Sequence, residues 1–178
     1  MDKTLIYALD FDGVICDSAV ETAITGWKAA IQLWSDMTEP MPSALQIEQF
    51  RELRPVLETG YEAILLMRLL QQGKSLAAIQ ENNLAMVQRL LDGLDQDVTF
   101  LKQLFGATRD AWIKQSPDEW IAMNPLFDGV AEKLQRLKGQ NWYIVTTKQE
   151  RFVEQILKAY QIELSADNIF GLDKKLSN

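Results

Sequence analysis

Two carboxylates set two residues apart are the first groups in this chain that can do chemistry. Asp10-Phe11-Asp12-Gly13-Val14 follows directly on the apolar run Thr4-Leu5-Ile6-Tyr7-Ala8-Leu9, which reads as a fully buried strand closed by Asp10. Open α/β sheets place their ligands just past the carboxyl ends of their strands. At such a point one carboxylate can attack phosphorus to give an aspartyl phosphate. The second can protonate the leaving oxygen and later deprotonate an attacking water. Gly13 lets the backbone turn away with no Cβ in the pocket. An EF-hand loop is excluded, because no third ligand and no closing glutamate follow at the required spacing. The plain alternative is a turn that caps a strand with solvated side chains.

Composition narrows the chemistry further. The 178 residues hold 18 Lys plus Arg against 25 Asp plus Glu, a formal charge of −7, and no histidine. The acidic balance argues against a nucleic-acid groove or an anionic membrane surface as the partner. Without histidine there is no Ser-His-Asp or Cys-His machinery, no imidazole base and no usual zinc or haem ligand set. Catalysis must run on carboxylates, lysines and hydroxyls. Cys16 is the only cysteine, so no intrachain disulfide is possible, which fits a reducing compartment. No secretory h-region and no span of about 18 apolar residues is visible. The expected location is the cytoplasm.

The elements that must hold these groups alternate in character. After the first strand, helix signals run for more than a hundred residues. Ser18 with Glu21, Ser43 with Gln46, Thr59 with Glu62 and Ser116 with Glu119 each read as a helix start, the last with Pro117 at the first helical position. Two further periodic stretches run from Leu76 to a stop at Gly93 and from Val98 to Ile113. Asp92, Asp95 and Asp97 between them read as a polar turn with helix capping, and Trp27 and Trp34, seven apart, read as core. Asn124-Pro125-Leu126-Phe127-Asp128-Gly129 is a turn-rich junction. A short helix stopped at Gly139 follows it. Trp142-Tyr143-Ile144-Val145 then reads as a buried strand ended by Thr146-Thr147-Lys148. An amphipathic helix through Phe152 and Tyr160 comes next, and a third strand within 168–172. Strands alternating with helices predict an α/β fold with a parallel sheet. The expected organisation is an α/β core of residues 1–16 and 125–178 interrupted by an all-α insertion, 17–124.

On three of these segments the sequence resembles the haloacid-dehalogenase superfamily, in its members with a helical cap inserted after the first motif. The segments are Thr4 to Ser18, TLIYALDFDGVICDS, then Pro125 to Gly129, PLFDG, and Ile144 to Lys148, IVTTK. The resemblance implies a Rossmann-like parallel sheet under a helical cap and an aspartyl-phosphate mechanism. Asp10 would be the nucleophile, Asp12 the acid and base, and Thr146 the hydroxyl that holds the transferring phosphoryl group. Gly13, Thr147 and Lys148 would line the phosphate site. It also implies Mg²⁺, bound by Asp10, by the backbone carbonyl of Asp12 and by an acidic residue from a later strand. The second aspartate makes phosphate-ester hydrolysis or phosphoryl transfer the expected reaction over displacement of halide from carbon. A phosphomutase, and a non-catalytic phospho-acceptor or interaction module, are the alternatives.

The family also uses a lysine beside the nucleophile. Lys174 and Lys175 follow the third expected strand, and Lys148 is the alternative. The family's fourth, acidic motif has no counterpart here, which suggests a shortened chain, or a sheet edge covered by a second copy or a partner chain. In the insertion, Arg51 and Arg54 are candidates for a second anionic group of a small phosphorylated metabolite. The alternative for them is a solvated helix end.

Overall fold

A computed structural model of the chain describes residues 5–174. The elements run β1 (Ile6–Leu9), α1 (Ala19–Ala30), α2 (Ala44–Leu53), α3 (Glu62–Gln71), α4 (Leu76–Asp92), α5 (Val98–Gln115), α6 (Pro117–Ala122), α7 (Val130–Arg136), β2 (Asn141–Val145), α8 (Glu150–Ala159) and β3 (Ile169–Phe170). Short 3-10 turns at Arg54–Val56 and Ala166–Asn168 complete the order. By contacts the chain divides into a sheet unit, residues 1–18 with 121–178, and a helical unit, residues 19–120.

In the sheet unit the three strands are parallel in the order β1-β2-β3. Leu9 stands opposite Ile144, and Ile144 opposite Ile169. Tight turns need no long connection, but parallel neighbours do; α7 precedes β2 and α8 crosses from β2 to β3. Gly129 takes a φ of +72° immediately before α7, a conformation glycine adopts without steric cost.

One expectation about the strands fails. β1 is not fully buried: Ile6 is 61 % exposed. It pairs only with β2, and no strand lies on its other side among the described residues. β2, the central strand, alternates instead of being buried throughout, with Trp142 and Ile144 inside and Val145 exposed. The apolar runs therefore identify the strands but not how completely they are covered.

The helical unit is built around an apolar core that includes Trp27, Phe50, Leu53, Ile64, Leu66, Ile79, Leu101 and Phe105. α1 and α3 meet closely at Gly26, where an added Cβ would lie 2.7 Å from the Ala63 carbonyl oxygen. Capping follows the sequence signals at the starts of α2 and α5. Ser43 and Gln46 form the reciprocal box at the start of α2, Ser75 caps α4 with Gly93 at its end, and Asp97 accepts from the Phe100 N–H at the start of α5. The Asp92–Asp97 segment is thus a capped polar turn. α3 begins later than its signal predicts, yet Glu62 still reaches back to the Glu58 and Thr59 N–H groups. Trp34 packs against this core while partly buried, with the Arg68 guanidinium 5.2 Å from its ring centroid.

Glu21 goes well beyond a helix cap. Its carboxylate is fully buried and accepts from Arg109 Nε and Nη2, each at 2.7 Å, from Thr25 Oγ1 at 2.6 Å and from Trp120 Nε1 at 3.0 Å. A buried charge is tolerable only when paired and hydrogen-bonded in this way. The network joins α1, α5 and α6 by polar contacts, whereas the seam between α1 and α3 is apolar. Among the described residues no helix is long and apolar enough to cross a membrane.

Candidate active site at the strand ends

The sheet brings Asp10 and Thr146 to the same edge. Leu9 and Ile144 are in register, so Asp10, one residue past Leu9, and Thr146, two past Ile144, both leave the carboxyl ends of adjacent parallel strands. Asp10 is exposed there, with its Oδ1 accepting from the Phe11 N–H at 2.7 Å. Beyond it the chain folds back on itself: the amides of Ile15 and Cys16 both donate to the Phe11 carbonyl at 2.9 Å. Gly13 makes this possible with a φ of +82° and no atom within 4 Å of where its Cβ would be. Phe11, Ile15 and Cys16 are buried and anchor the loop.

Asp12 is the most constrained group of the site. Its Oδ1 accepts from Ser18 Oγ at 2.5 Å and from Lys148 Nζ at 2.9 Å. Two donors on one oxygen fix the side-chain rotamer. Lys148 in turn is held by its own loop: its N–H donates to Thr146 Oγ1 at 3.1 Å and its carbonyl accepts from the Leu172 N–H at 3.2 Å. Thr146 is tied to β3 by its N–H on the Phe170 carbonyl. Asp12, Ser18, Thr146 and Lys148 therefore form one connected set, close to the exposed Asp10.

Of the candidate lysines among the described residues, the structure brings Lys148 to Asp12. Lys174 is corrected: its Nζ donates to the carbonyls of Ala166, Asp167 and Ile169 and lies 4.3 Å from the Phe170 ring centroid. It closes the 3-10 turn before β3. A sequence position after a strand says nothing about which way a flexible lysine folds back. Lys175 lies outside the described residues. Thr147 is exposed beside Thr146. Arg51 lies in the last turn of α2 and Arg54 opens the following 3-10 turn, both in the helical unit.

Glu150 is a participant that sequence reasoning missed. Its Oε1 accepts from the Gly171 N–H at 2.9 Å and its Oε2 from the Asp173 N–H at 3.2 Å. Burial pushes this carboxyl up, but the backbone N–H groups of Glu150, Gly171, Asp173 and Lys174 outweigh it and hold the carboxyl below the usual range. This clasp keeps 171–173 against the Lys148 carbonyl, where Gly171 leaves no room for a Cβ: one would stand 2.4 Å from that oxygen. The only sequence signal was an acid in the first turn of α8, which a helix dipole already explains.

Hard oxygen donors at Asp10 and Asp12 suit Mg²⁺, which keeps several waters and uses one or two carboxylates plus substrate phosphate. Among the described residues no group of three acidic, His or Cys side chains gathers for a metal. The oxygen donors that would hold such an ion here are the Asp10 carboxylate and the Asp12 carbonyl, with water and substrate oxygens making up the rest.

A protein-family model for haloacid dehalogenase-like hydrolases matches residues 5–175. No curated protein matches the chain. Among solved structures, a hydrolase from Pseudomonas syringae is similar at 16 % identity and a TM-score of 0.45, over 96 % of this chain. This chain spans 62 % of that one.

Proposed function

Because this chain belongs to the haloacid dehalogenase-like hydrolase family, we propose that it hydrolyses small phosphomonoesters through an aspartyl-phosphate intermediate, with Asp10 as nucleophile. The observation that carries this reading is the fixed Asp12–Lys148 pair beside the exposed Asp10 at the strand ends. Asp10 attacks phosphorus, and the leaving alkoxide takes a proton from Asp12. Water, deprotonated by Asp12, then attacks the acyl phosphate, releasing inorganic phosphate and restoring Asp10. The Thr146 hydroxyl and loop amides donate to the phosphoryl oxygens, and the Lys148 ammonium offsets their charge as the bond breaks. Mg²⁺, when bound at Asp10 and the Asp12 carbonyl, supplies further charge neutralisation at the phosphoryl oxygens.

The test is phosphate release from p-nitrophenyl phosphate by the chain with and without Mg²⁺, paired with Asp10→Asn. The expected result is magnesium-dependent release that the substitution abolishes, together with an acid-stable phosphoryl label trapped on the parent and absent from the variant. Equal release by parent and Asp10→Asn overturns the reading, as does a folded parent that neither releases phosphate nor takes the label.

A further inference from the structure

The helical unit carries a second polar concavity, formed by α1 and α5 and independent of the aspartates. It is a groove of about 250 Å³ with an apolar floor of Leu104, Ala107 and Ala111, and Lys28, Thr108 and Gln115 at its polar side. Lys28 is unusual in its surroundings. Its Nζ stands 3.9 Å from the centroid of the Trp112 ring, and no described residue accepts a hydrogen bond from it. Burial lowers its pKa, with the Glu119 charge acting in the opposite direction. Glu119 does not reach the ammonium as a hydrogen-bond acceptor: its Oε2 takes the Trp112 indole N–H at 3.1 Å. Beside Lys28, Thr108 Oγ1 accepts from Gln32 Nε2 at 3.1 Å, and its own O–H has no acceptor among the described residues. The groove therefore presents a partly desolvated ammonium and a buried hydroxyl, both with donor capacity to give, beside the partly buried Leu104 and the exposed Ala107 and Ala111.

That chemistry selects a class of ligand. Uncommitted donors around one cation call for an oxyanion. A single ammonium with an acid at the far edge of the same indole favours a monoanion over a phosphate dianion. Three apolar side chains call for a hydrocarbon body. We propose that the α1–α5 groove is a binding site for a compact organic monocarboxylate, its carboxylate on the Lys28 ammonium and the Thr108 hydroxyl and its body over Leu104, Ala107 and Ala111. The site rests on none of the catalytic assignments above.

The Trp112 indole N–H is a built-in reporter, since its ring carries the Lys28 ammonium. Sodium benzoate, sodium butyrate and inorganic phosphate are titrated in turn into the ¹⁵N-labelled full chain, with the Trp112 signal assigned through Trp112→Phe. A saturable shift with a carboxylate and none with phosphate is expected. Lys28→Gln weakens that binding about tenfold or more, the loss of one charged hydrogen bond, whereas Lys28→Arg retains it. Ala107→Leu, which fills the floor and leaves Lys28 in place, blocks it without touching the cation. The proposal is overturned if neither carboxylate gives a saturable shift, if phosphate saturates the signal as readily, or if Lys28→Gln or Ala107→Leu, each melting like the parent, binds unchanged.

Discussion

Lys148 and Asp12 form an ion pair of 2.9 Å in which the lysine side chain is 2 % exposed and the carboxylate 15 %. A lysine this deep is normally committed to a partner, and its backbone is gripped by Thr146 and Leu172 as well. Lys148→Met is therefore expected to lower phosphate release about a hundredfold, the scale of losing one charge-stabilising donor. Lys174→Met, which removes the cover over three carbonyls at the start of β3, is expected to lower the melting temperature and leave the turnover of the folded fraction near that of the parent. Parallel kinetics and melts on the two variants decide which lysine serves the phosphate. A larger rate loss in Lys174→Met would reverse the assignment.

Glu150 gives the sheet unit an acid-sensitive fastening. Its folded pKa is held below the ordinary carboxylate value by backbone N–H donors that outweigh burial. A depressed carboxyl stabilises the fold above its unfolded pKa, about 4.3, and that stabilisation is lost as pH falls through the folded value. Urea melts between neutral pH and the acid range are expected to show a smaller acid loss in Glu150→Gln than in the parent. Hydrogen exchange at Gly171 and Asp173 rises in the variant at neutral pH. An unchanged pH profile refutes the fastening.

The strand ends were legible because an apolar run stopped by Asp-x-Asp-Gly is a local pattern, and the same holds for the capping residues Ser43 and Asp97. Partnerships over long sequence distance were not. Asp12 and Lys148 are 136 residues apart and Glu21 and Arg109 are 88 apart; spacing along one helix or strand carries no trace of either. Lys174 misled for the same reason in reverse, since its place in the sequence resembles a site lysine while its side chain folds back onto the preceding turn. The apolar run of β1 did not itself show the exposure of that strand, because an apolar strand reads the same whether one or two neighbours cover it; only the missing acidic motif pointed to an uncovered edge.

Gly26 offers a test in which two effects oppose. Alanine in a helix interior is ordinarily favoured over glycine by about 1 kcal/mol. Here the new Cβ would stand 2.7 Å from the Ala63 carbonyl oxygen and 2.9 Å from the Ala63 Cβ, backbone and side chain of a packed helix that cannot yield cheaply. Overpacking of this kind costs about 1–3 kcal/mol, so Gly26→Ala is expected to destabilise the protein despite its better propensity. Chemical denaturation gives the sign directly. A gain in stability would mean that α1 and α3 separate more easily than their close approach implies.

The buried Glu21 network supplies the sharpest test of how the helical unit is held together. Removing one partner leaves the other charge buried without compensation, which costs about 3–5 kcal/mol, whereas replacing both with apolar groups is often neutral. Glu21→Leu and Arg109→Met are each expected to destabilise strongly. Glu21 carries the greater loss, because Thr25 and Trp120 also donate to its carboxylate. The double variant Glu21→Leu with Arg109→Met is expected to recover part of the loss of Arg109→Met, since neither member of the buried pair is then left as an uncompensated charge, although Thr25 and Trp120 lose their acceptor. A double-mutant cycle in urea measures that recovery as a coupling energy. If the two single losses simply add, the pair is not the element that joins α1 to α5, and the remaining packing of Trp112 and Trp120 must do so instead.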